Sequence, residues 1–272
     1  MEIQQIRENI KPPCDVIDIH MHPWWSHGHL YSSTFKKCAE VHLHAADIAG
    51  ITKMVVFDVE DDDNKNPSPQ RLIDINDNLM KIVEFAPERF IPFAYLNPAY
   101  PYESLKELDR CLEFGMKGIK LWCGRRAGNA GTLIIAKRAA ELGLPIIQHC
   151  AEKPFGNLQG ESYPEDAAEL AEVCPEVNLI LAHLTNIGLR GIEEIKNYPN
   201  ISIDISGGDP LFGFTRIAID KLGADRIFFG TDVSVRGYGS QLSKVLNAEL
   251  TLEEKEKILH LNAKRVIPGL EV

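Results

Sequence analysis

The chain has 272 residues, of which 44% are hydrophobic and 25% are charged, as expected for a globular protein with a sizeable core. Its formal net charge of −10 argues against a nucleic-acid-binding protein, because there is no basic stripe to neutralise phosphates. No apolar run approaches the roughly 18 residues of a membrane span, and no export signal is recognisable. The six cysteines form no Cys-x-x-Cys pair, which predicts free thiols in a reducing compartment.

Strand patterns and helical patterns alternate eight times along the chain. The predicted strands are residues 16–22, 51–57, 89–96, 118–122, 144–150, 177–183, 201–206 and 225–232. The predicted helices are residues 39–49, 70–86, 102–114, 131–142, 164–174, 189–197, 213–222 and 251–266. This alternation predicts an α/β protein with a (β/α)8 TIM barrel, built as a single domain over residues 1–272. The alternative is an open doubly wound sheet, whose glycine-rich phosphate loop is not found here.

The first predicted strand carries two histidines in a His-x-His arrangement. Side chains alternate along a strand, so Asp18, His20 and His22 point to one face. Two imidazoles on one face of a strand can reach the same metal ion, and imidazole suits zinc and several other metals. Such a pair is weak evidence alone, because His27/His29 and His42/His44 repeat it without resembling a site.

Four later strands also end in polar residues that break an otherwise apolar pattern. These residues are Lys120, His149, His183 and Asp232. An unpaired polar group buried in a strand costs about 1–3 kcal/mol, so each needs a partner. Catalytic groups of a barrel project from the C-terminal ends of its strands. We therefore predict a metal site at this rim.

The chain resembles the amidohydrolase superfamily of metal-dependent TIM barrels, in the amidohydrolase-related branch that contains aminocarboxymuconate-semialdehyde decarboxylase. The resemblance is carried by VIDIHMH at 16–22, PERF at 87–90, GIKL at 118–121, PIIQH at 145–149, LAH at 181–183, FGTD at 229–232 and NA at 262–263. It implies that one divalent metal is held by His20, His22, His149 and Asp232. The metal is expected to be zinc, with manganese or iron as alternatives. Asp232 would also exchange a proton with a metal-activated water, and His183 would act beside the metal as an acid, base or polarising group.

Two residues near these ligands have open roles. In two-metal members of the superfamily a lysine of the fourth strand is carboxylated and bridges the metals, with His149 and His183 binding the second ion. Lys120 stands at this position, but a free amine that faces an anionic substrate is favoured. Asp18 is expected to support the ligands or to serve a structural role.

Substrate-binding candidates lie in the loops that follow the strands. Arg125, Arg126 and Arg236 are candidates for binding a substrate carboxylate, with a solvated surface arginine as the alternative for each, and Trp122 and Trp24 are candidates for lining a pocket. The favoured function is a metal-dependent hydrolase that cleaves a C–N amide bond or a C–O lactone or ester bond of a small substrate. The alternative is a metal-dependent non-oxidative decarboxylase of an aromatic or unsaturated acid. A catalytically inactive barrel would show a broken ligand set, and this set is intact.

We expect a cytoplasmic enzyme with a small-molecule substrate, without nucleic-acid or membrane partners, as a monomer or homo-oligomer.

Overall fold

The computed structural model describes residues 11–23, 34–59 and 65–270, in which parallel strands alternate with helices. The strands are β1 Ile17–Met21, β2 Lys53–Val56, β3 Phe90–Pro92, β4 Ala94–Leu96, β5 Ile119–Leu121, β6 Pro145–Gln148, β7 Asn178–Leu181, β8 Ile201–Asp204 and β9 Ile227–Phe228. The helices are α1 Phe35–Ala49, α2 Pro69–Val83, α3 Pro101–Phe114, α4 Ala130–Leu142, α5 Pro164–Val173, α6 Leu184–Ile195, α7 Phe214–Leu222, α8 Tyr238–Leu246, α9 Leu252–Glu256 and α10 Asn262–Val266.

The strands form two parallel ladders that continue into each other. One ladder runs β1-β2-β3 and the other runs from β4 to β9 in chain order. The third predicted strand supplies both β3 and β4, with a break at Phe93. The backbone N–H of Phe93 donates to Val56 (2.9 Å), and that of Ala94 donates to Gly118 (2.9 Å), so this strand passes from one ladder to the next.

Hydrogen bonds also connect the last strand to the first. The backbone N–H of Ile19 donates to the carbonyl of Phe229 (3.0 Å), and Met21 forms a parallel bridge with Val233. The predicted eight-stranded α/β barrel is confirmed, since β3 and β4 together make one of the eight strands.

The two faces of the sheet carry different side chains. Lys120, Ile147 and Ile180 are register partners on β5, β6 and β7, so they share one face. Their neighbours Ile119 and Ile146 share the other face and belong to the large apolar core that the helices complete. A smaller apolar cluster that includes Ile147 and Ile180 fills the barrel interior. Lys120 therefore projects from the same face of the sheet as this interior apolar cluster.

Most helix boundaries follow the predicted patterns, apart from an earlier start of the first helix, at Phe35 instead of residue 39, and three further differences. The helix predicted to start at residue 189 is preceded by a helical turn from Leu184, which follows His183 directly, and a non-helical break at Gly188 separates the two parts of α6. Helix α8 was not predicted, although Tyr238, Leu242 and Val245 recur at helical spacing and are buried. The last predicted helix is α9 and α10 joined by a π turn over Lys257–Leu261, and it opens with a capping box of Thr251 and Glu254. No helix within the described ranges is long and apolar enough to cross a membrane.

Candidate metal centre

A cavity of about 130 Å3 lies at the C-terminal ends of the strands. Its lining residues are His20, His22, Val59, Lys120, Trp122, His149, His183, Asp232 and Val235. The structure thus brings together the predicted metal ligands, Lys120 and His183 from five different strand ends. Valine and tryptophan side chains form the remaining walls.

Both histidines of the first strand converge on the carboxylate from the last strand. Asp232 Oδ1 lies 3.5 Å from His22 Nε2 and 3.7 Å from His20 Nε2. One potential ligand atom each from His20, His183 and Asp232 lies within 4.8 Å of the other two. The alternation expected along β1 therefore delivers both rings to one point.

The other side of the cavity is formed by two further imidazoles and the lysine. His183 Nε2 lies 3.1 Å from His149 Nδ1, and Lys120 Nζ lies 3.3 Å from His20 Nε2. The Trp122 ring stands edge-on to His149, with 6.3 Å between the centroids. Lys120 also lies over the Phe57 ring at 4.6 Å, so its cation is enclosed by rings.

Carboxylates outside the cavity orient two of the imidazoles. His20 Nδ1 lies 2.8 Å from Asp204 Oδ2, and His149 Nε2 lies 2.6 Å from Glu161 Oε1. Because a carboxylate accepts hydrogen bonds, these ring nitrogens carry the protons. His20 Nε2 and His149 Nδ1 are left with lone pairs directed into the cavity. Such a carboxylate–histidine pair is the usual support of a metal-ligating histidine.

The sequence analysis missed both supporting carboxylates. Asp204 had a signal, because it is the only charged residue in the predicted strand 201–206. Glu161 had none, since it lies in the loop between β6 and α5, where polar residues are ordinary. Lys153 Nζ donates a further hydrogen bond to Glu161 (2.8 Å).

Asp18 lies outside the cavity lining and joins the first strand to the last. Its Oδ1 accepts the backbone N–H of His20 (3.0 Å) and of Thr231 (3.0 Å), and its Oδ2 accepts the Thr231 hydroxyl (2.5 Å). Burial raises the pKa of Asp18 to about 7, against the effect of these hydrogen bonds. Asp18 fixes the backbone beneath the ligands.

Burial sets the charge of the site. It lowers the pKa of His20, His22, His149 and His183, so the rings are neutral and have lone pairs to offer. Burial opposes ionisation of Asp232, but the hydrogen bond from His22 and the neighbouring His183 and His20 hold its pKa well below its usual range. Neutral imidazoles with an ionised carboxylate form a donor set that a divalent metal requires.

Burial also lowers the pKa of Lys120 to about 8, although Asp204 and Asp232 oppose this shift. The amine therefore lies close to the balance between its charged and neutral forms near neutral pH.

Two site residues adopt a left-handed backbone that side chains rarely accept. The φ angle is 73° at His183 and 62° at Asp232. Each such residue costs about 1–3 kcal/mol and persists where the surroundings over-determine it. Gly207 is required beside them, because a Cβ atom there would lie 2.5 Å from His183 Nδ1. The chain accepts strain where it turns these two side chains into the cavity.

The arginine candidates lie outside this cavity. Arg125 and Arg126 line a second cavity of about 450 Å3, to which Cys123 also contributes. The Arg126 guanidinium stacks over the Tyr163 ring at 4.9 Å. Their predicted contact with substrate therefore requires a ligand that reaches both cavities.

The remaining predicted site residues divide as follows. Arg236 is exposed, and its backbone N–H donates to the carbonyl of Asp232 (2.9 Å). Trp122 lines the metal cavity as predicted, whereas Trp24 lies outside the described residues. The six cysteines are free thiols, as expected.

Solved structures with this fold cover nearly the whole chain. The 2,6-dihydroxybenzoate decarboxylase from Rhizobium is 18% identical with a TM-score of 0.72, over 93% of this chain and 98% of that one. A dihydroxybenzoic acid decarboxylase from a Polaromonas species, with bound manganese, is 18% identical with a TM-score of 0.70, over 93% and 96%. The 4-oxalomesaconate hydratase from Rhodopseudomonas palustris is 17% identical with a TM-score of 0.69, over 93% and 95%.

The comparison with curated proteins found no match. The family model described as amidohydrolase matches residues 17–269, which is nearly the whole chain. The resemblance inferred from the sequence motifs is confirmed, and the chain belongs to the amidohydrolase family.

Proposed function

We propose that the protein is a metal-dependent, non-oxidative decarboxylase of an aromatic or unsaturated carboxylic acid. The sequence alone favours a hydrolase, with this reaction as the alternative. Decarboxylases among the similar structures support the alternative better than they support hydrolysis. The observation that carries the proposal is the cavity itself, in which a buried lysine and neutral imidazoles face apolar walls of Trp122, Val59 and Val235.

The donor set fits a divalent metal. His20 Nε2 and His149 Nδ1 present lone pairs, and His22 Nε2 and the ionised Asp232 lie close to each other. We assign the metal to these four residues, with zinc as the first choice on donor type and manganese as the alternative. When bound, the metal would neutralise a substrate carboxylate and stabilise negative charge that develops on the substrate.

The side chains around the metal site would bind an anionic, unsaturated substrate. Lys120 offers a cation to an anionic substrate, and the Trp122 ring offers a flat apolar wall to an unsaturated one. The apolar walls lower the local dielectric constant, which strengthens these electrostatic contacts.

Decarboxylation breaks a C–C bond, releases carbon dioxide and forms a C–H bond at the same carbon. One proton must therefore reach that carbon. We assign its transfer to Asp232, whose ionised carboxylate takes up a proton from solvent and gives it to that carbon as the C–C bond to the carboxylate breaks. His183 lies beside it and is assigned to a hydrogen bond with a substrate oxygen.

Release of carbon dioxide tests the proposal directly. Metal-loaded protein is incubated with dihydroxybenzoates, carboxyvanillate and unsaturated dicarboxylic acids, and in parallel with lactones and amides. We expect carbon dioxide and the decarboxylated product from the acids, and none from the Asp232→Asn variant. Asp209→Asn, which changes an exposed aspartate in the loop after β8, is the matched control. Hydrolysis of a lactone or amide, or hydration of a double bond, without carbon dioxide release would refute the decarboxylase.

A further inference from the structure

A buried serine connects two of the cavity's imidazoles from behind. Ser206 follows β8 and is fully buried, and its Oγ lies 3.0 Å from His20 Nδ1 and 3.0 Å from His183 Nδ1. Its backbone N–H donates to Asp204 Oδ1 (2.9 Å). A serine hydroxyl has one proton, so it can donate to only one of the two rings.

His20 cannot accept this proton. Its Nδ1 already carries a hydrogen that is donated to Asp204 Oδ2 at 2.8 Å. Among the described residues, His183 Nδ1 is the other acceptor in contact with the Ser206 hydroxyl. A buried hydroxyl that donates to nothing loses free energy, so the proton is directed to His183 Nδ1.

The opposite edge of the His183 ring gives the same answer independently. His149 Nε2 donates to Glu161 Oε1 (2.6 Å), which leaves His149 Nδ1 without a hydrogen. His183 Nε2 lies 3.1 Å from that lone pair and must therefore be the donor. Both edges of the ring place its hydrogen on Nε2.

We infer that Ser206 is a positioning residue that fixes His183 in the Nε2–H tautomer, so that His183 is a hydrogen-bond donor in the cavity and not a metal ligand. The tautomer follows from contacts within the chain alone. The further consequence rests on the proposed function. A substrate whose oxygen atom accepts a hydrogen bond beside its carboxylate, such as a phenol or an enol, would meet this donor.

The backbone around Ser206 is held from outside the barrel. Lys244 on α8 is buried, and its Nζ donates to the carbonyls of Ile205 (2.8 Å) and Gly207 (2.5 Å), on either side of the serine. Gly207 has no side chain because His183 Nδ1 occupies that space. Ser206 is therefore fixed in position by contacts that do not depend on its own hydroxyl.

Nitrogen NMR of histidine-labelled protein measures the tautomers directly. In metal-free wild-type protein, long-range 1H–15N correlations should show hydrogen on Nδ1 of His20, on Nε2 of His149 and on Nε2 of His183. On addition of Zn2+, the 15N resonances of His20 Nε2 and His149 Nδ1 should shift, while His183 keeps its hydrogen on Nε2. Hydrogen on His183 Nδ1, or zinc binding at His183 Nε2, would overturn the inference.

Substitutions of Ser206 test the role of its hydroxyl in the zinc-loaded protein. There His149 Nδ1 is expected to bind zinc and can no longer accept a hydrogen bond from His183, so Ser206 alone holds the tautomer. Ser206→Ala should convert His183 to a mixture of tautomers with an unchanged zinc content, whereas Ser206→Thr, which retains the hydroxyl, should keep Nε2–H. An unchanged tautomer in Ser206→Ala refutes the role of the serine.

Should Ser206→Ala fail to fold, the wild-type spectrum still decides the tautomer. An absence of decarboxylase activity would refute the proposed function and leave these spectra unaffected.

Discussion

Two His-x-His pairs in this chain differ in where their rings lie. His20 lies on β1 and His22 directly after its last residue, and both rings line the cavity and approach the same carboxylate oxygen. His42 and His44 lie on α1, where His42 is buried with its Nε2 3.0 Å from the carbonyl of Pro23, and His44 is exposed. The same spacing gives a converging pair on a strand and a diverging pair on a helix.

The difference shows that a His-x-His motif indicates a metal site only when the backbone places both rings on the same side. Residues two apart share a face of a strand, whereas on a helix they are about 200° apart around the axis. The strand pair is also supported by a carboxylate behind one ring, and the helix pair has only the backbone contact of His42 among described residues. Substitutions can test this contrast.

The largest effect is expected from removing each pair in turn. His20→Ala with His22→Ala should abolish metal binding, since half of the proposed ligand set is lost. His42→Ala with His44→Ala should keep about one metal ion per chain and lose about 1 kcal/mol of stability with the hydrogen bond to Pro23. Elemental analysis and urea unfolding of both double variants measure this. Equal metal content in the two would contradict the proposed centre.

The next effect concerns Asp232, the carboxylate on which the strand pair converges. Asp232→Asn retains one oxygen and the side-chain size but removes the charge. We expect kcat to fall about 10²–10⁴-fold, the usual cost of losing an acid–base group, while part of the metal remains bound. Metal stoichiometry and kcat are measured on the same preparations beside Asp209→Asn. A variant with full metal and full kcat would remove Asp232 from the chemistry.

A smaller effect is expected at Lys120, which faces His20. Lys120→Met should leave the metal content near one ion per chain, with or without bicarbonate, and raise KM roughly ten- to a hundredfold through the lost charged hydrogen bond. The exposed Lys137→Met is the control. Loss of a second ion, or metal content that rises with bicarbonate, would instead establish a carboxylated lysine between two metals.

The smallest effect concerns Lys244, which holds the backbone beside Ser206. Burial lowers the pKa of Lys244 from 10.5 to about 8, so the folded protein releases this proton at lower pH than the unfolded chain. Between these values the unfolded chain binds more protons, and stability rises with pH. Relative to Lys244→Met, the wild type should therefore gain free energy of unfolding across this window. Urea unfolding of metal-free protein below and above pH 8 measures the trend, and the opposite slope would contradict it.

Much of the site could be predicted because it lies at strand ends. His149, His183 and Asp232 each interrupt an apolar run, and the barrel topology brings such positions together. Sequence spacing alone could not show that Asp204 and Glu161 hold the rings from behind, since those contacts join distant residues.

Other features needed three-dimensional information for a different reason. Arg125 and Arg126, in the loop after β5, line a second cavity beside Cys123. No pattern in the sequence indicates that they lie in a different cavity from Trp122. The left-handed backbone at His183 is likewise hidden, since a positive φ is uncommon at any residue other than glycine, even though histidine is enriched there.

The hydrogen bonds between Asp18 and Thr231 join positions 213 residues apart in the chain. Closing so large a loop costs conformational entropy before any contact repays it, and long-range pairing of this kind slows folding. The first and last strands carry three of the four proposed ligands, so a ribosome-bound chain cannot assemble the centre until residue 232 has emerged. The proposed centre is thus completed late in biosynthesis, and His20 and His22 remain without Asp232 for most of translation.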